Sequence, residues 1–112
     1  MKKLLLLSAL LISSITIAQT KCNDLLNTVK TLKVNHTDYI TDSSWLQKVT
    51  FHENYDNQSR RKVFFAIAKM NNREYVFCDF PFSNQLSYIS KWNLSSGKAF
   101  RKYIFNYKCN CD

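Results

Sequence analysis

Two apolar runs meeting at a pair of asparagines constrain this chain more than any other feature: "KVFFAIAKM" (62–70) and "REYVFCDF" (73–80), joined by Asn71 and Asn72. The first is apolar at nearly every position, as in a central strand of a sheet. The second alternates, with Val76, Cys78 and Phe80 on one face and Tyr75, Phe77 and Asp79 on the other. Asparagine tolerates the positive φ of a tight two-residue turn. The pattern therefore predicts an antiparallel hairpin over 62–80.

The punctuation around the hairpin sets the rest. The sequence holds one proline, Pro81, and one glycine, Gly97. Pro81 cannot donate to a ladder and ends the second run. Gly97, in "LSSG", separates two helical patterns, 83–94 and 98–107. Ser83 is placed to cap the first, in which Phe82, Leu86, Ile89 and Trp92 line one side. In the second, Ala99, Phe100, Tyr103, Ile104 and Tyr107 face inward. Upstream, "SWLQKVTFHE" gives a strand over 44–53, and a bulge is needed if Leu46, Val49 and Phe51 share a face. "NDLLNTVKTLK" (23–33) has helical spacing of Leu25, Val29 and Leu32. The polar stretch 34–44 has no period and reads as a connection. The expected fold is α+β, a three-stranded antiparallel sheet (44–53, 62–70, 73–80) with helices 23–33, 83–94 and 98–107 packed mainly on one face.

The opening "MKKLLLLSALLISSITIAQT" has a basic start, a short apolar run and a small-residue approach to Ala18. This is the pattern of a secretory signal over 1–18, removed before Gln19. The remaining chain divides into an N-terminal helix and connection (19–42) and a main domain with a Cys-x-Cys tail (43–112). Export to a periplasm or beyond the cell places Cys22, Cys78, Cys109 and Cys111 where disulfides form. A Cys109–Cys111 bond would close a very small, strained ring. Cys22 and Cys78 are therefore each expected to pair with one of the other two, in either order. The absence of any CxxC pair argues against a zinc site.

Charge is uneven. Residues 19–56 carry four lysines and five acids, whereas 57–112 carry ten lysines or arginines against three acids. Such a basic half fits an acidic protein or another polyanion as partner.

The order of motifs over residues 43–107 resembles the KTSC domain family, named after the C-terminus of some lysyl-tRNA synthetases. "SSWLQKVTF" stands as the opening strand, "EYVF" at the family's Tyr-x-Tyr, then "FP", then "SSGKAFRKYIFNY" at the Ser-x-Gly, aromatic, basic-Ile-x-x-Tyr ending. Phe77 replaces the second tyrosine, and the leader, N-terminal helix and cysteines fall outside the pattern. The resemblance implies a fold, no established enzymatic role, and RNA binding as the activity suggested for the domain.

Candidate binding residues follow from chemistry. Tyr75 and Phe77, two apart on one strand face, have the spacing of a base-stacking platform, flanked by Lys69 and Arg73. Lys98, Arg101 and Lys102 around Phe105 form a second basic-aromatic group. Arg60, Arg61 and Lys62 extend the basic surface. No cofactor is expected, and no catalytic constellation is recognised: there is no nucleophile-elbow motif, and one glycine cannot build a phosphate cradle. Nothing in the sequence fixes His36, Asp38 and Asp42 as metal ligands. The chain is thus expected to be an exported, non-catalytic binding module, with a nucleic-acid binder as the alternative. Non-reducing peptide mapping of the exported protein is expected to show no free thiol, and a free Cys78 would defeat the pairing.

Overall fold

The computed structural model describes residues 21–111, so the leader lies outside the described residues. Helix α1 (21–30) leads into a four-stranded antiparallel meander: β1 (Lys33–Tyr39), β2 (Leu46–Asp56), β3 (Arg61–Met70) and β4 (Arg73–Cys78). Helices α2 (Phe82–Ser90) and α3 (Ser96–Tyr103) follow, then a short 3-10 turn, Phe105–Tyr107.

The hairpin forms as expected. Asn71 and Asn72 both take positive φ, 50° and 65°, the geometry of a type I′ turn. Gln47 reaches across to clamp it, donating to Asn72 Oδ1 and accepting the Asn72 N–H, both at 2.8 Å. The bulge is also present, as a register shift between Leu46 and Lys48 that leaves Leu46, Val49 and Phe51 all buried. The second strand stops at Cys78, before the expected end at 80. Asp79 adopts φ 52°, which breaks the alternation and puts Phe80 in the same core as Phe77.

The sheet has one more strand than the sequence predicts. Residues 33–39, read as connection, pair with β2 as the edge strand β1, with an irregularity between Val34 and His36. The sheet is also covered on both faces, not mainly one. On the first, α2 and α3 enclose Phe51, Phe77, Phe80, Tyr88, Phe100 and Ile104. On the second, α1 lays Val29 on Ile67 and Val76, with Leu25, Leu26 and Leu32 around them. This double cover explains why β3 is apolar throughout.

The helices depart from expectation in cap and orientation. α2 begins at Phe82 with Pro81 at its N-cap and no side-chain cap from Ser83. The break after α2 is carried by Lys91 (φ 54°) and Asn93 (φ 63°), while Gly97 lies within α3 without positive φ. Ser95 caps α3, accepting from the Lys98 N–H. The residues α2 buries are Gln85 and Tyr88, so Phe82, Leu86 and Trp92 of the expected inward side point outward, whereas Ile89 packs partly buried against the core as expected. The expected inward side of α3 is correct in Ala99, Phe100 and Ile104.

Two disulfides, Cys22–Cys111 and Cys78–Cys109, tie the start of α1 and the end of β4 to the tail. The tail also pairs along the free edge of β4: Phe77 bridges Lys108, and the Cys109 N–H donates to the Val76 carbonyl at 3.0 Å.

His52 sits buried on the α1 side of β2, where its Nδ1–H donates to the Leu32 carbonyl at 3.2 Å. Its Nε2 has no hydrogen-bond partner among the described residues. Burial holds the imidazole below its ordinary pKa, with the Leu32 carbonyl opposing. Protonation therefore favours the unfolded chain. The stability conferred by neutral His52 is present above about pH 6.5 and lost as pH falls toward the depressed folded value. The carboxylates held low, Asp79 and Glu53 among them, lose their contribution only below about pH 4. Urea midpoints between about pH 7 and 5 are expected to fall for the parent and to stay flatter for His52→Leu. Parallel slopes would contradict this account.

Candidate binding cleft

The site is assembled from three distant parts of the chain. Trp45 stands at the entry to β2, where Ser43 Oγ accepts the N–H groups of Trp45 and Leu46 at 3.3 and 3.1 Å. Its ring meets Phe100 edge-on at 6.3 Å and carries the Arg101 guanidinium at 4.7 Å from its centroid. Gly97 makes this possible, because a Cβ there would lie 3.1 Å from the Trp45 ring. Close approach, and not a turn, accounts for the single glycine.

Opposite stands Tyr75 of β4, with Lys108 Nζ 5.1 Å from its ring centroid. Lys108 is held there by its bridge to Phe77 and by the neighbouring Cys109–Cys78 bond. Between the two cation–aromatic pairs lies a cleft of ≈ 630 Å³ lined by Trp45, Met70, Asn71, Tyr75, Arg101, Phe105 and Lys108. Four of these lining residues are aromatic or apolar, two are cationic and none is acidic. Such a site suits a ligand with an apolar or flat portion and a negative charge.

A smaller hollow of ≈ 270 Å³ lies on the other side of Trp45, between Asp42, Ser95, Lys98 and Arg101. The α3 N-terminus there is already satisfied by the chain itself. Asp42 Oδ2 accepts the Ser96 N–H at 3.1 Å, and hydrogen bonds from Ser96 hold its carboxyl below the ordinary range.

Of the residues expected to bind, Tyr75, Arg101 and Phe105 come together in the main cleft. Phe77 does not join them. It is fully buried, edge-on to Phe100 at 5.1 Å, because α3 roofs the strand face it shares with Tyr75. The two-ring stacking platform is therefore not exposed. Lys69 lines a polar groove on the opposite face of the sheet with Lys48, Thr50 and Glu74. Arg73 is exposed at the hairpin, and Lys98 belongs to the smaller hollow. Lys102 is exposed, its ammonium 5.3 Å from the Tyr103 ring centroid.

Part of the basic stretch at 60–62 is internally paired. Arg61 grips Asp79 with two hydrogen bonds of 3.0 and 2.9 Å and holds that carboxyl below its ordinary range, and Lys62 pairs with Glu53 at 3.1 Å. Asp38 accepts from the Tyr88 hydroxyl at 2.7 Å and from Lys91 at 2.6 Å. Burial, and then the bond to Asp38, raises the Tyr88 pKa.

Sequence reasoning missed Trp45, Met70, Asn71 and Lys108. One signal for Lys108 was available: a bond from Cys78 to Cys109 forces the residue before Cys109 alongside β4.

Fold and site together define a small α+β domain, an antiparallel meander clad by helices on both faces, with a cationic-aromatic cleft at one end of the α3 face. No protein-family model, curated protein or solved structure matches the chain.

Gly97→Ala tests the wall of the cleft. Overpacking against a rigid indole costs about 1–3 kcal/mol, against a helix-propensity gain of at most about 1 kcal/mol. A net loss of about 1 kcal/mol and a changed Trp45 emission are expected. A more stable variant would show that the contact is not restrictive.

Proposed function

We propose that this protein is an exported, non-catalytic binding module whose cleft receives an acidic partner, a protein segment or another polyanion presenting an apolar group beside its negative charge. One observation carries the reading: Arg101 on Trp45 and Lys108 on Tyr75 line one cleft with other aromatic and apolar residues, with no acid among the lining residues. Each cation lies over a ring, which biases it toward the cleft before a ligand arrives. The aromatic faces supply contact area and the rim supplies charge.

Export is part of the proposal. Two disulfides support it, as does the leader-like sequence at 1–18. Among the described residues no helix is long and apolar enough to cross a membrane. The KTSC-like reading of residues 43–107 also belongs here, supported by the order of strand, hairpin, proline and two helices. Its RNA-binding implication has less support, since only Tyr75 of the two strand aromatics is accessible.

Titration with a polyglutamate peptide containing tryptophan, and in parallel with oligouridylate, separates the partners. The acidic peptide is expected to bind with an affinity that falls with salt. Arg101→Ala or Lys108→Ala is expected to weaken it about tenfold, as loss of one charge-assisted contact does. Preferential retention of oligouridylate, weakened by Tyr75→Ala, would replace this proposal with the nucleic-acid reading.

A further inference from the structure

Helix α2 sets Gln85 and Tyr88 inward, with Ile89 packed on the core beside them. It buries Gln85, 2 % exposed, and Tyr88, while Phe82 and Leu86 are 43 % and 52 % exposed. Trp92, just beyond the helix, is 78 % exposed. The orientation is fixed from within. Gln85 Nε2 donates to Asn35 Oδ1 at 2.8 Å, and Tyr88 and Lys91 both donate to Asp38. Rotating the helix to bury its apolar side would break all three bonds to β1. Phe82 and Leu86, four residues apart, therefore form an outward ridge, with exposed Trp92 two residues past the end of the helix, and the Phe82 ring rests on Phe64 at 4.8 Å.

The chain segment that carries this ridge is basic. From Phe80 to Cys111 there is no aspartate or glutamate, against Lys91, Lys98, Arg101, Lys102 and Lys108. Lys98 and Lys102 are four apart on the exposed side of α3, which packs against α2, and neither forms an ion pair among the described residues. Of the neighbouring carboxylates, Asp38 is paired with Lys91 and Asp79 with Arg61. Asp42, bonded to the neutral Ser96 N–H, keeps its charge near Lys98 and leaves Lys102 as the cation with no acid at hand among the described residues. A second copy laid on this ridge would bring cations against cations.

The shape also discriminates. Phe82, Leu86 and Trp92 line neither the main cleft, the smaller hollow nor the polar groove. Phe82 and Leu86 stand on the outer side of a nine-residue surface helix, the arrangement of an element that lies along an interface. At a fluid interface, apolar side chains sink to the headgroup–acyl boundary while flanking cations stay at the headgroups, and tryptophan favours that depth.

From these features we infer that the α2 ridge, with Lys98 and Lys102 beside it, docks on the surface of a bilayer carrying anionic headgroups. This surface is separate from the cleft and does not depend on the cleft's ligand.

Flotation of the exported, disulfide-bonded chain from Gln19 onward with vesicles of equal parts phosphatidylglycerol and phosphatidylcholine tests the inference. The parent is compared with Leu86→Ser/Trp92→Ser in the same form, so the apolar N-terminal run contributes to neither. The ridge variant is expected to partition at least about tenfold more weakly, and Lys98→Ala/Lys102→Ala roughly thirtyfold more weakly. Lys108→Ala, which alters the cleft, is expected to float with the parent. Vesicles should blue-shift the tryptophan emission of the parent, and Trp92→Phe should lose that shift while still floating. Equal flotation of parent and ridge variant would overturn the inference, as would equal binding to pure phosphatidylcholine. Loss of flotation in Lys108→Ala to the level of the ridge variant would assign lipid contact to the cleft instead. A vesicle-free dimer that shields Trp92 from quenching would make a second copy the occupant.

Discussion

The ring of Phe100 is the contact on which the arrangement turns. It lies within 5.1–6.4 Å, centroid to centroid, of Phe77, Tyr88, Trp45 and Phe105. Those four rings belong to β4, α2, the entry to β2 and the turn after α3. Edge-to-face contacts of this kind have a preferred geometry as well as a large buried area. One side chain thus fixes where α3 sits on the sheet, how closely α2 approaches it and where one wall of the cleft stands. The core and the candidate site are parts of a single aromatic cluster.

What the sequence reveals depends on whether local rules and tertiary contacts agree. Asn71–Asn72 between two apolar runs specifies its hairpin locally, and the interior place of β3 in the sheet is written in its unbroken apolarity. Strand β1 is different. Asn35 and Asp38 are polar because their partners are Gln85 and Tyr88 of α2, 50 residues away. Period-based reading sees no strand there, and for the same reason it turns α2 the wrong way round. Both errors have one cause, a polar seam where an apolar one is expected. The cleft was half visible: Tyr75, Arg101 and Phe105 announce themselves by type, whereas Trp45 and Lys108 reach it only through the glycine contact and the disulfide.

The C-terminal tail has two tasks at one place. Cys78–Cys109 joins residues 31 apart and Cys22–Cys111 joins residues 89 apart, so most of the described chain is enclosed between covalent ties. Loop closures of this length restrict the unfolded ensemble strongly, which matters in a domain too small for a large core. The same ties set Lys108 over Tyr75. Stabilising the fold and shaping the cleft rim are therefore one act, since the backbone of Lys108 stays beside β4 while Cys109 is bonded.

Pairing of Lys108 with Phe77 also gives the sheet a direction. The β4 side offers incoming strands few free backbone groups beside the tail, which leaves the opposite margin as the place where another extended chain would join. There the irregularity near Asn35 and the terminal Lys33 disturb the regular row of donors and acceptors that such a visitor needs. The sheet is closed at one border by a covalent clasp and guarded at the other by a misaligned ladder, a layout that discourages end-to-end stacking of sheets into fibrils.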